Sequence, residues 1–211
     1  MIKLVFVFGL VLVSTLVKGQ YPGFSPIAGG TNFKEQFSLA SQKIRSIRCD
    51  FIQEKNLSML SEKVSSKGKF WFKKDNLVRM EYNEPFQYLM IINKDNIFLK
   101  DGNKENLVSV SSNKLFQQIN KITVDCVRGT ALDNPDFRFR IFENSQSFLV
   151  ELTPVARSLK AYFKNINITV DKKDYSVSKI DMIELSGDDT LIRFINKEFN
   201  VEISDALFAI H

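Results

Sequence analysis

Between Cys49 and Ile92 apolar and polar side chains alternate with a period of two. Phe70, Phe72 and Lys74 fall on one side of one segment, and Val78, Met80 and Tyr82 on one side of the next. Turn-forming residues separate these runs at Asp75-Asn76, Asn83-Glu84-Pro85, Asn93-Lys94-Asp95-Asn96 and Asp101-Gly102-Asn103, so the segments read as an antiparallel meander. Beyond Asp133-Asn134-Pro135, strands are expected at Phe137 to Phe142, Phe148 to Leu152, Ile166 to Val170, Tyr175 to Leu185, Leu191 to Ile195 and Leu207 to Ile210. Two stretches change to helical spacing. Phe33, Phe37, Ala40, Ile44 and Ile47 follow Asn32 and Glu35, which form a capping box, and Leu115, Phe116, Ile119, Ile122 and Cys126 share a stripe between Ser112 and Arg128.

A twisted sheet of about ten strands curls or closes, and two amphipathic helices are available to cover one side of it. The expected fold is α+β: an incomplete antiparallel β-barrel (half-barrel) of about ten strands with a helical lid, the helix from Ser112 to Arg128 being the lid candidate. The strands carry more large apolar residues than one small core requires. The concave side is therefore expected to keep a hollow roomy enough for fatty tails. No repeat or linker divides the chain, so residues 32–211 read as one domain after a flexible segment at 20–31. Whether Leu89 and Ile91 or Met90 and Ile92 face inward is left open by this pattern, because a one-residue step reverses every side chain.

Met1-Ile2-Lys3 followed by the apolar run from Leu4 to Leu16 and by Val17-Lys18-Gly19 has the form of a secretory signal peptide, residues 1–19. The run is shorter than the roughly 20 apolar residues of a spanning helix. No Cys stands at the cleavage point to carry a lipid anchor, so a soluble exported protein is expected. Loss of the leader takes Lys3 and Lys18 from a formal net charge of +5. The remaining Lys and Arg are interleaved with acids, the pattern of a solvated outer face and not of a nucleic-acid site.

The chemistry for catalysis is missing. The single histidine is His211, the last residue, so no triad or Cys-His pair has a base on a rigid element. Gly29-Gly30 has no phosphate-loop context, and Asp188-Asp189 follows Gly187 in a turn. No enzyme activity, metal or cofactor is expected. Cys49 and Cys126 are too few for a disulfide scaffold. They either pair, closing a loop worth about 4 kcal/mol, or stay as buried thiols. Nineteen Phe against one Trp and five Tyr favour side chains without a polar handle, suited to walls that face hydrocarbon.

The order Cys49-Asp50-Phe51-Ile52-Gln53, then Gly68-Lys69-Phe70-Trp71-Phe72-Lys73-Lys74, then Leu77-Val78-Arg79-Met80-Glu81-Tyr82-Asn83-Glu84-Pro85 resembles the periplasmic outer-membrane lipoprotein carriers, the LolA-like family. The stretch from Tyr162 through Asp188-Asp189-Thr190-Leu191-Ile192-Arg193-Phe194 to Phe208 is similar to the family's C-terminal half. The resemblance implies a carrier in the Gram-negative periplasm that takes acylated lipoproteins from an inner-membrane lipoprotein-releasing transporter and gives them to an outer-membrane acceptor, acting as a monomer. It also implies a lipid-binding cavity made by Phe70, Phe72, Val78, Met80, Tyr82 and Met90, and a lid helix presenting Leu115, Phe116, Ile119 and Ile122. Lys74 stands where the family often has an Arg that contacts the lid. A half-barrel of this kind also serves a second reading, a lipid- or lipoprotein-sensing regulatory module acting through a protein partner.

Overall fold

A computed structural model describes residues 21–59, 62–74, 76–94, 96–101, 104–108, 122–123, 125–126 and 129–210. The expected leader and the lid residues Leu115, Phe116 and Ile119 lie outside them. The strands are β1 (Ser25–Pro26), β2 (Ser46–Leu57), β3 (Glu62–Lys73), β4 (Leu77–Glu84), β5 (Tyr88–Asn93), β6 (Asn96–Asp101), β7 (Lys104–Val108), β8 (Phe137–Glu143), β9 (Ser147–Pro154), β10 (Phe163–Asp171), β11 (Val177–Glu184) and β12 (Asp189–Phe199). Helix α1 spans Thr31–Lys43 and a single turn, α2, spans Arg157–Lys160.

All twelve strands belong to one sheet in the order β1-β8-β9-β10-β11-β12-β2-β3-β4-β5-β6-β7. The strand pairs are antiparallel, and β12 against β2 joins the two halves of the chain. The two edges, β1 and β7, do not pair with each other, so the sheet curls into an open half-barrel. Gly68 fixes one tight point of the curl. A Cβ there would stand 2.0 Å from the Glu81 carbonyl and 2.7 Å from the Phe51 ring, so the β2–β3–β4 crossing needs a residue without a side chain.

Three local expectations are corrected. Helix α1 starts at Thr31 after Gly30 and has no side-chain cap from Asn32. Gly30 sits at φ 53, with its missing Cβ site 2.7 Å from Ile141 Cδ1, so close packing sets the start of the helix and not a capping box. Ile47, placed on the helical stripe by its spacing, belongs to β2. The strand expected at Leu207 to Ile210 is instead a 3-10 turn over Asp205–Phe208, where the Ser204 hydroxyl accepts the Ala206 amide. Upstream of α1, Tyr21 donates its hydroxyl to the Glu151 carboxylate, and Ser25–Pro26 pairs with β8.

Alternation puts one row of apolar residues on each side of β3–β6, and both rows are covered. The main cluster fills the concave side. A second cluster of Ile91, Phe98, Ile203 and Phe208, flanked by Trp71, Leu77 and Leu89, lies on the convex side under the C-terminal residues. The open question around Pro85 is thereby answered: Met90 and Ile92 join the concave cluster, while Ile91 and Leu89 join the convex one.

Candidate functional site

The concave face is built by direct cross-strand partners. Phe70 pairs with Met80, which pairs with Met90, and Phe72 pairs with Val78, which pairs with Ile92. The four residues Phe70, Phe72, Val78 and Met80 expected on this face are all buried there, as is Met90. Tyr82, opposite Gly68 and Tyr88, is half-buried. It packs edge-on against Phe51 and donates its hydroxyl to Gln53 at 2.9 Å. Burial raises its hydroxyl pKa, so it stays a neutral donor. The C-terminal half continues the surface with Ile166, Ile168, Ile180, Met182, Ile192 and Phe194.

Helix α1 lies over this face. Phe33 and Phe37 on its buried side stack at 5.5 Å, and Phe33 packs on Phe148 at 4.6 Å. Few polar contacts fasten the helix. Lys74 donates Nζ to the Gln42 carbonyl at 2.8 Å in the last turn, and the exposed Lys34 pairs with Asp133 at 2.6 Å. Among the described residues the Lys74 contact is to α1. From the stretch around Leu115, the described helical residues Ile122 and Cys126 are buried in the same cluster. Just beyond them, Gly129 at φ 72 passes so close to α1 that a Cβ would stand 2.4 Å from Ser41 Oγ.

Among the described residues, what lies where the roomy hollow was anticipated is small, and the lid residues Leu115, Phe116 and Ile119 are outside them. Between α1 and the sheet lies a cavity of about 20 Å³, lined among others by Phe37, Cys49, Phe70, Cys126, Phe194 and Lys197. That holds about one water molecule. Phe33, Phe37, Phe70 and Phe194 belong to the same buried cluster and take up much of the space around the cavity. Outside, a groove of about 360 Å³ runs between α1 and the β10–β11 turn. Groove and cavity share Ile44, Tyr175 and Phe199, so these three residues are the wall between solvent and interior.

Neither cysteine forms a disulfide: Cys49 and Cys126 are free, buried, and border the same cavity. Burial pushes the Cys49 thiol up to about 12, against a smaller lowering by Lys197. Burial also raises Cys126. Both remain protonated and unreactive at neutral pH.

Lys197 was not singled out by the sequence. The pairing of β12 with β2 slips between Ile195 and Glu198, with Asn196 at φ 54, and this bulge turns Lys197 inward. Its Nζ donates to Asp171 at 2.9 Å and to Ser176 Oγ at 2.6 Å. Period-two reading places it wrongly because a bulge inserts a residue without any marker beyond the Asn. Asp188 is a turn group as read and accepts the Ser58 amide and hydroxyl, each at 2.9 Å, whereas Asp189 opens β12 and accepts Asn56 at 2.7 Å.

Residues 42–211 match the family described as "Outer membrane lipoprotein carrier protein LolA", and the chain belongs to that family. No curated protein sequence matches it. Among solved structures, a DUF1329 family protein from Desulfovibrio piger is similar at 11% identity, with 88% of this chain and 98% of that chain covered and a TM-score of 0.52. An uncharacterized conserved protein from Thermus thermophilus is similar at 8% identity, with coverages of 84% and 92% and a TM-score of 0.51. The MucA/MucB complex of Pseudomonas aeruginosa is similar at 12% identity and a TM-score of 0.50, with 85% of this chain covering 60% of that one. At these identities the likeness is one of fold. Members of the LolA family are carrier or binding proteins and not enzymes. Among the described residues no helix is long and apolar enough to cross a membrane.

Proposed function

We propose that this chain is a periplasmic carrier that shelters the acyl chains of lipoproteins between α1 and the concave face, and moves them from the inner to the outer membrane. The observation that carries the reading is that a continuous apolar face, with Phe70, Met80 and Met90 in register, is covered among the described residues by helical segments, α1 and the residues Ile122 and Cys126, and not by a second sheet. Membership of the lipoprotein carrier family supports it. Among the described residues α1 lies against the face. Loading then requires α1 to shift at the wall formed by Ile44, Tyr175 and Phe199, which would join the outer groove to the inner cavity. Each aromatic side chain displaced from the interior costs about 1.5–3 kcal/mol, and each acyl methylene buried in exchange contributes about 0.8 kcal/mol. The displaced side chains offset part of that gain, which lowers the net affinity that a donor and an acceptor membrane protein must work against.

A photo-crosslinking residue at Ile44 tests the reading in cells. Acylated lipoproteins should appear in the crosslinks and vanish when acylation is blocked; crosslinks without any acylated partner would refute it. Glu at Val78 or Met80 is a poorer test, because both side chains are packed and the fold itself would suffer. A second reading rests on the shared fold of the MucA/MucB complex: a regulatory module that senses lipid or lipoprotein and answers to a protein partner. Affinity capture separates the two, a carrier retaining a lipoprotein-releasing transporter or an outer-membrane acceptor and a regulator retaining a signalling protein.

A further inference from the structure

The end of the sheet away from the C-terminus of α1 has a different character. Strand β2 is 12 residues long, so its far tip lies roughly 40 Å from the start that receives α1. There the β2–β3 hairpin leaves Met59 91% exposed, the neighbouring β11–β12 hairpin leaves Leu185 60% exposed, and Tyr162, ahead of β10, is 42% exposed. These are adjacent. Ser58 bonds Asp188 across the two hairpins, and the Leu185 amide donates to the Tyr162 carbonyl at 3.0 Å. An almost fully exposed Met at a hairpin tip contributes nothing to the core, and three large apolar residues on neighbouring tips form a projecting row and not a groove.

The charges beside the row differ in how they are engaged. Of the carboxylates, Glu184 meets Lys55, Asp188 meets Ser58 and Asp189 meets Asn56, which leaves Glu62 exposed at the start of β3. Lys63 and Arg193 share Glu54. Arg157 and Lys160 of α2, and Lys164 beside Tyr162, are exposed and have no side-chain partner among the described residues. The rim therefore joins apolar tips to a surplus of solvated cations, with a Tyr between them, the combination that suits the boundary between anionic headgroups and acyl chains.

We propose that this rim docks reversibly on an anionic lipid surface through Met59, Leu185 and Tyr162, with Arg157, Lys160 and Lys164 against the headgroups. The proposal does not depend on what the cavity holds, since cargo crosslinking at Ile44 and vesicle binding at the rim are read separately. The test is flotation of the whole protein with phosphatidylglycerol-containing vesicles against purely phosphatidylcholine vesicles. Wild type and variants share the same N-terminus, so differences between them report the rim. The double variant Met59→Ser with Leu185→Ser should lose about tenfold in bound fraction, because two apolar anchors are removed. Lys160→Glu with Lys164→Glu should abolish the preference for the anionic vesicles, and salt should weaken wild-type binding. Neither pair is buried, so thermal unfolding should be unchanged in both. Equal flotation of wild type and the serine variant would overturn the proposal. So would self-association or retention of a protein that depends on Met59 and Leu185 while wild type ignores vesicles.

Discussion

Both sides of β3–β6 carry apolar rows, the concave one more extensive, and they are closed in different ways. On the concave side, α1 rests on Phe33 and Phe37 with Lys74 at its last turn and Lys34 on an exposed ion pair. On the convex side, the C-terminal strap is gripped by the sheet itself. Lys73 Nζ donates to the Ile203 carbonyl at 2.9 Å, Arg79 to the Leu207 carbonyl at 3.1 Å and Asn93 to the Phe208 carbonyl at 3.0 Å, while Ser46 Oγ donates to Val201. Arg79 also lies over the Trp71 ring, 5.8 Å from its centroid. Hydrophobic burial alone does not distinguish a lid from a wall, because it is non-directional. Directional bonds to main-chain carbonyls do, and they are concentrated on the convex side.

The comparison can be broken most severely at Gly68, which supports both sides. Gly68→Val should cost more than about 3 kcal/mol or prevent folding, since neither the Glu81 carbonyl nor the Phe51 ring has room to yield; urea denaturation reads the loss. Next, Phe208→Ala should cost about 3–5 kcal/mol, the usual toll of an emptied aromatic site held rigid, while Phe37→Ala should cost less because α1 can settle into the space. Equal losses in the same denaturation experiment would mean that α1 is as fixed as the strap.

Alkylation sharpens the same contrast without a substitution. Cys49 and Cys126 should react slowly with a small maleimide at neutral pH, and several-fold faster once an acyl amphiphile displaces α1, at concentrations that leave the far-ultraviolet circular dichroism unchanged. The smallest effect is expected at Asp181 on β11, whose pKa is raised by burial. A carboxyl with a folded pKa above its unfolded value binds its proton more tightly when folded. Stability therefore declines as pH rises through that window and stays lower above it. Asp181→Asn should raise the melting temperature slightly at pH 7 and have no effect well below pH 4, which a pair of thermal scans checks.

Much of the fold was legible because alternation is a local property. Phe70, Phe72, Val78, Met80 and Tyr82 declare their shared face through spacing alone, and the turns between them carry Asn or Asp at places such as Asn76, which adopts φ 66. The facing of Leu89 to Ile92 was not legible, since all four are apolar. It is fixed by the strap, more than a hundred residues away, which gives Leu89 and Ile91 something to pack against. The strap was misread as a strand for a related reason: apolar Leu207, Phe208 and Ile210 fit either state, and the turn is chosen by Ser204 and by the burial of Phe208. The size of the hollow was not legible. Counting apolar residues measures how much surface seeks cover, and says nothing of whether other Phe residues supply that cover.

The manner in which Lys73, Arg79 and Asn93 hold the C-terminal strap bears on how such a chain can diverge. All three donors reach a peptide oxygen, which any amino acid provides, and only Lys73 adds a side-chain partner in the strap, the Asp205 carboxylate at 2.5 Å. Glu202 and Ala206 are thus free to drift across relatives, whereas the three donors in the sheet, together with Ile203 and Phe208, should be the positions at which substitutions are purged.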